Sequence, residues 1–126
     1  MKLLIDTHLL LWAAADMLPK EAAPYFMDEG NELLFSSASI WEVVIKRGLG
    51  RPDFKVEPAA LYRGLLENGY TELAVTTHHV LLVADLPSIH KDPFDRILIA
   101  QAKAEGLAFL SSDKTVSKYS SVIYVA

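Results

Sequence analysis

The sequence predicts an α/β fold: one domain, residues 1–126, with a parallel β-sheet and helices on its faces. Short apolar runs alternate with longer helical stretches along the whole chain, the rhythm that strand–helix–strand units impose. Each run is bounded by polar or turn residues, as buried strands are. The composition, 126 residues with 52% apolar and 22% charged, is that of a single globular domain, and a chain of this length buries about two-thirds of the surface that its unfolded form exposes.

The elements follow in order. A strand over 2–5 ends at Asp6, and the helix expected over 7–15 is apolar almost all round and should be buried. A helix over 20–29 leads to a strand at 32–35. The helix over 38–47 is stopped by Gly48, Gly50 and Pro52, which open a loop through Asp53 to Val56. A helix at 58–68, a strand at 72–75 and a helix at 77–84 come next, and residues 87–92 make a second punctuated connection. Asp92-Pro93-Phe94-Asp95 then opens a helix over 93–105, with Asp92 at the N-cap, Pro93 at the first helical position and Asp95 beside the positive end of the dipole. A strand at 107–110, a short helix at 113–119 and a strand at 122–125 complete the chain. No repeat, low-complexity tract or block of like charge interrupts it.

Several classes are excluded at once. With no cysteine there is no disulfide and no Cys-bearing zinc site. Twelve Lys+Arg against sixteen Asp+Glu, a formal charge of −4, argue against a protein that holds nucleic acid by a broad basic face, since that affinity comes from many cations displacing counterions. A polyanionic substrate would need a metal or local arginines. The longest apolar run, 9–15, is far short of the roughly 20 residues that span a bilayer, and Asp6 and His8 interrupt the apolar stretch that a signal peptide would need. The expectation is a cytoplasmic protein with no membrane partner.

In a parallel sheet, ligands collect outside the carboxyl ends of the strands. Asp6 and Asp113 both fall there, directly after apolar strands, although a helix N-cap explains either one alone. Glu42 lies among residues that look buried: Ile40, Val43 and Val44 trace one stripe, Trp41 and Ile45 a neighbouring one, and Glu42 pairs with Lys46 at i and i+4. It is either a site residue or half of an exposed ion pair worth about 0.3–0.5 kcal/mol. An acid in the first turn of the helix at 93–105 can point into the same cleft, so capping and catalysis are compatible. Four or five carboxylates on one edge would repel one another unless something positive bound there. Clustered carboxylates with no His or Cys expected nearby suit Mg²⁺ or Mn²⁺ rather than zinc, and one or two such ions can activate a water and steady a phosphodiester transition state.

Four segments carry a family resemblance: Leu3-Leu4-Ile5-Asp6-Thr7-His8 with Leu10-Leu11-Trp12; Ser36 to Lys46 with Trp41-Glu42, then Leu49-Gly50; His90-Lys91-Asp92-Pro93-Phe94-Asp95-Arg96 running into Leu98-Ile99-Ala100-Gln101-Ala102; and Leu110-Ser111-Ser112-Asp113. In this order and spacing the chain resembles the PIN-domain nucleases, and among them the VapC-type toxins of toxin–antitoxin pairs. The resemblance implies a PIN-like three-layer α/β/α fold with a parallel sheet of about five strands. It also implies an Mg²⁺- or Mn²⁺-dependent ribonuclease with an acidic quartet at Asp6, Glu42, Asp95 and Asp113, and Asp92 as an auxiliary. A homodimer and a small antitoxin laid over the cleft are implied with it. One position departs: many relatives carry Thr where this chain has Ser111, and the hydroxyl is kept.

On this reading Asp6, Asp95 and Asp113 hold metal, while Glu42 orients a metal-bound water or helps fill a second metal site. Metal affinity and activity should fall together as pH drops. Lys46 and Arg96 are candidates for contacting phosphate, with ion pairing to a neighbouring acid as the other explanation; Thr7 and Ser111 are candidates for binding substrate or water. No function is expected of His78 and His79, read as surface; His90, just ahead of the acidic helix, could approach RNA, although a plain loop residue is the default. Trp12 and Trp41 are expected in the core or a dimer interface. Lys46, Arg47, Arg51 and Lys55 form the densest basic patch, which either guides RNA or solvates a loop. Two other classes stay open. An aspartyl-phosphate-type phosphatase usually has a second Asp two residues after the first, where this chain has His8. A non-catalytic module binding RNA or protein would keep the fold and lose acids, and none is lost.

Overall fold

The structure is a computed structural model and describes residues 1–125. Five parallel strands, β1 (Lys2–Ile5), β2 (Glu32–Ser36), β3 (Thr71–Leu73), β4 (Ala108–Ser111) and β5 (Val122–Tyr124), form a sheet in the order β3-β2-β1-β4-β5. The connections are α1 (Thr7–Ala14), α2 (Ala23–Met27), α3 (Ser37–Gly48), α4 (Pro58–Glu67), α5 (Thr77–Val83), α6 (Pro93–Glu105) and a 3-10 helix at Lys114–Lys118.

Alternation along the strands builds two cores. Leu3, Ile5, Phe35 and Leu110 face Leu9 and Leu10 of α1 and Leu61 and Leu65 of α4. Leu4, Leu34 and Phe109 face Leu98, Ile99 and Ala102 of α6, with Leu82 and Val83 of α5 packed alongside. The result is three layers, helices on both faces of one sheet. α3 contributes to both cores, Val43 to the first and Ala38 to the second. The chain steps outward from β1 through β2 to β3, then returns to place β4 and β5 on the other side of β1. That reversal makes the seam between β1 and β4 the switch point where a doubly wound sheet opens a crevice.

Several boundaries differ from the sequence reading. The helix expected over 20–29 shrinks to five residues, because Pro24 sits in its first turn and the Pro19 carbonyl takes the N–H groups of both Ala22 and Ala23 in the preceding turn. α1 is buried on one side only: Leu9 and Leu10 are inaccessible, but Ala14 and Ala15 are exposed, since no further layer covers it. β3 starts and stops earlier than 72–75; the Val75 N–H leaves the ladder and donates to Ser37 Oγ at 3.1 Å. The last helix is the 3-10 turn, not an α-helix over 113–119.

Phe54, in the loop after α3, is fully buried and anchors that loop in the α1–α4 core. Replacing it with Ala should destabilise the protein by about 3–5 kcal/mol through lost burial and a cavity, measured as a lower urea midpoint.

Candidate metal centre

Each acid reaches the carboxyl edge of the sheet for a local reason. Asp6 leaves β1 and caps α1: its Oδ1 accepts the Leu9 N–H at 2.8 Å. Asp92 caps α6, taking the N–H groups of Phe94 at 2.8 Å and Asp95 at 3.4 Å on Oδ1. Asp113 caps the 3-10 helix after β4, its Oδ1 accepting from Thr115 at 2.9 Å. The capping explanation therefore holds for all three; in Asp92 and Asp113 the second oxygen takes no hydrogen bond from the backbone, whereas the second oxygen of Asp6 accepts two further bonds. Asp95 follows in the first turn of α6, and Glu42 comes from the middle of α3.

The five carboxylates line one cleft of about 230 Å³, together with Thr7, His8, Lys46, Arg51, His90, and Ser112. Asp6 is almost inaccessible, and its Oδ2 accepts the Ser111 hydroxyl at 2.6 Å and the Ser112 N–H at 3.0 Å. Burial pushes its carboxyl above the ordinary range, against the Ser111, Leu9 and Ser112 hydrogen bonds that pull it down. The Asp95 carboxyl is pushed up to about 6, chiefly by burial and further by the charges of Asp92 and Glu42, with the His90 hydrogen bond opposing.

Glu42 is 3% exposed, so it is not half of a surface ion pair. Its Oε2 accepts from Lys46 Nζ at 2.5 Å, and Lys46 Nζ lies 3.9 Å from Asp92 Oδ2. Its Oε1 is buried with no hydrogen-bond partner, an arrangement that costs about 1–3 kcal/mol or more if nothing approaches it. An orphaned carboxylate oxygen beside four other acids fits a hard divalent cation, which takes oxygen ligands. One donor atom from each of His90, Asp95 and Asp113 also lies within 4.8 Å of the other two.

The hydroxyl and cation candidates divide. Lys46 lines the cleft. Ser111 is buried and spends its hydroxyl on Asp6, while its Oγ accepts the Asp113 N–H at 3.0 Å, so one side chain ties two of the acids together. Thr7 Oγ1 donates to Ser39 Oγ at 2.9 Å, tying α1 to α3. Arg96 does not line the cleft. Its guanidinium donates to the carbonyls of Val83 (3.0 Å), Pro87 and His90 (both 3.1 Å) and to Tyr119 Oη (3.3 Å), and so staples the loop ahead of α6.

Four ordinary residues sit differently, in whole or in part, from expectation. His90 is a cleft residue: its Nε2 lies 2.7 Å from Asp95 Oδ2 and 3.5 Å from Asp113 Oδ2. The available signal was its place two residues before a capping aspartate in a loop bracketed by Pro87 and Pro93. His79 is buried rather than on the surface; it completes a capping box with Thr76 and meets Glu105 at 2.9 Å. Trp41 is 61% exposed and packs edge-to-face on Phe94, so of its two expected places the core is ruled out and an interface stays open, whereas Val44, expected in the buried stripe, is half exposed because α3 turns its Glu42 side inward.

Two predictions follow from these contacts. A carboxyl whose pKa is raised on folding favours the folded state only while protonated, so this contribution is present below about pH 4 and is lost as pH rises through about 6. In EDTA, Asp95→Asn should therefore be more stable than the wild type at pH 7, by about 1–3 kcal/mol, and the difference should shrink toward pH 4 in urea titrations. Arg96→Ala should lower stability by about 2–3 kcal/mol through the carbonyls it leaves without a donor, read by the same titration at pH 7.

No protein of curated function matches the sequence. Solved structures resemble it in fold at low identity. VapBC2 from Rickettsia felis, bound to a DNA fragment from their promoter, superposes with a TM-score of 0.72 at 11% identity, covering 99% of this chain and 98% of that one. DNA-bound VapBC from Salmonella typhimurium gives 0.70 at 13%, covering 99% and 97%. A toxin–antitoxin complex from Klebsiella pneumoniae gives 0.67 at 16%, covering 95% and 94%. The family model of the PIN domain matches residues 3–121, nearly the whole chain and all five acids of the cleft. The chain belongs to the PIN-domain family.

Proposed function

We propose that this protein is a metal-dependent endoribonuclease, the VapC-type toxin of a toxin–antitoxin pair. The observation that carries the reading is the cleft itself: five carboxylates at the switch point of the sheet, one of them with a buried oxygen that has no partner. Asp6, Glu42, Asp95 and Asp113 would hold Mg²⁺ or Mn²⁺, one or two ions, with Asp92 as an auxiliary. Such an ion, when bound, supplies positive charge to the phosphodiester and makes water a better nucleophile at neutral pH.

The chain's own residues do the rest. The Ser111 hydroxyl and the Leu9 and Ser112 N–H groups fix Asp6 in one orientation, which limits reorganisation during the reaction. Lys46 offsets the Glu42 charge and, with Arg51, gives the cleft the cations that an incoming phosphate needs. The acidic chain as a whole would otherwise repel RNA.

The partners follow the same reading. The antitoxin is proposed to lie over the acidic cleft, and an apolar groove between α1, α2 and α4, lined by Leu18, Phe26, Leu33, Leu61 and Tyr70, gives another segment of it a seat. Trp41, Val80 and Phe94 beside α5 and α6 offer a second apolar face for a homodimer. No helix of the described residues is long and apolar enough to cross a membrane, and the cytoplasm is the proposed location.

Purified protein freed of antitoxin should cleave structured RNA in Mn²⁺ or Mg²⁺ and stop in EDTA. Asp6→Asn and Glu42→Gln should each reduce cleavage by about a hundredfold or more, read on labelled RNA by gel, with the fold checked by circular dichroism. Phosphate release from monoesters would point to a phosphatase. RNA binding without metal-dependent cleavage would point to a non-catalytic module.

A further inference from the structure

We propose that His90 is a nitrogen ligand of the divalent ion in this cleft, alongside Asp95 and Asp113, and that it biases the site toward Mn²⁺ over Mg²⁺. The inference rests on the metal-dependent reading above and adds a ligand that the acidic quartet does not contain.

The spacing is the first support. His90 Nε2 is 2.7 Å from Asp95 Oδ2 and 3.5 Å from Asp113 Oδ2, and the three donor atoms lie within 4.8 Å of one another. An octahedral ion with ligands at about 2.1 Å sets neighbouring donors about 3 Å apart and opposite donors about 4.2 Å apart. The two distances from His90, 2.7 Å and 3.5 Å, bracket the spacing of neighbouring donors, and the third pair lies within 4.8 Å. Among the described residues no other three His or carboxylate side chains bring their donor atoms within 4.8 Å of one another.

The mounting of His90 is the second support. Its backbone N–H donates to Tyr119 Oη at 3.0 Å, and its carbonyl accepts from Arg96 Nη1 at 3.1 Å. Tyr119 Oη in turn donates to the Pro87 carbonyl at 2.8 Å, and Arg96 reaches Val83 and Pro87. A loop histidine that only met solvent would need no such frame. Fixing the backbone on both sides of one residue places its ring where the acids of α6 and of the β4 edge converge, as a ligand position demands.

The choice of ion follows from donor chemistry. Mg²⁺ favours all-oxygen coordination and keeps its waters; Mn²⁺, though the weakest imidazole binder of the first-row series and itself at home among oxygen ligands, accepts a nitrogen donor more readily than Mg²⁺ does. If the imidazole acted only as a hydrogen-bond partner orienting Asp95, its removal would weaken both ions alike. Selectivity therefore separates a ligand from a positioning residue.

The test uses the full chain stripped of metal. Titration calorimetry gives Mn²⁺ and Mg²⁺ affinities for the wild type, His90→Asn, and Asp6→Asn, with melting curves to confirm folding. Pulsed electron paramagnetic resonance of the Mn²⁺-loaded wild type reads nitrogen coupling directly and needs no variant. The expected result is a ¹⁴N coupling in the wild type that disappears in His90→Asn, with Mn²⁺ affinity falling about tenfold or more and Mg²⁺ affinity by less than about threefold. Absence of nitrogen coupling in the wild type, or equal weakening of both ions, overturns the proposal. If the folded wild type binds neither ion, the metal-dependent reading fails and this inference with it. If it binds both and loses both on Asp6→Asn but shows no nitrogen coupling, this inference alone fails.

Discussion

A carboxylate buried at the seam between β1 and β4 organises the carboxyl edge of this sheet. Asp6 is 5% exposed, and removing a charge from water to that degree is unfavourable unless donors replace the water. They come from three places: the first turn of α1, the Ser111 side chain, and the backbone just past β4. The Asp6 N–H meanwhile donates to the Leu110 carbonyl at 3.0 Å and extends the β1–β4 ladder by one bond. One residue thus starts a helix, closes a strand pair and fixes the turn that delivers Asp113.

The rest of the cleft is assembled on that seam from elements far apart in sequence. α3 brings Glu42 and Lys46, α6 brings Asp92 and Asp95, and the segment after β4 brings Asp113. Repulsion among them is only partly offset. Lys46 answers Glu42 and approaches Asp92, and His90 stands between Asp95 and Asp113. What remains is a surplus of negative charge in a small, partly desolvated volume, where Coulomb interactions are stronger than in water. The Asp95 carboxyl shows it: burial raises it first, and the charges of Asp92 and Glu42 raise it further, whereas Asp6 is raised by burial alone.

Much of this was legible in the sequence because it rests on local rules. Apolar runs gave the five strands, and acids placed directly after strands or at helix starts gave Asp6, Asp92, Asp95 and Asp113. Glu42 stood out as a charge within an apolar stretch. The features that were not legible depend on contacts between distant segments. The placement of His90 requires Tyr119, 29 residues away, and an arginine whose task is to hold loop carbonyls. The burial of His79 requires Gln101 and Glu105 of α6. The rotation of α3 that exposes Trp41 and Val44 follows from the need to turn Glu42 and Val43 inward at once, and an amphipathic pattern cannot decide that where a charge belongs on the inner face.

The double duty of the caps carries a consequence for how such chains change over time. Asp6, Asp92 and Asp113 each satisfy backbone donors at a helix start, so a descendant that had lost all activity would still be held by its own stability to a capping side chain there, Asp, Asn, Ser or Thr. Glu42 has no such task. It sits in mid-helix, buried, with an oxygen that nothing in the chain answers. An apolar residue there would relieve the fold of that oxygen while leaving Lys46 without its near partner, so among copies drifting without function Glu42, together with Asp95, which caps no helix either, should disappear before the three caps.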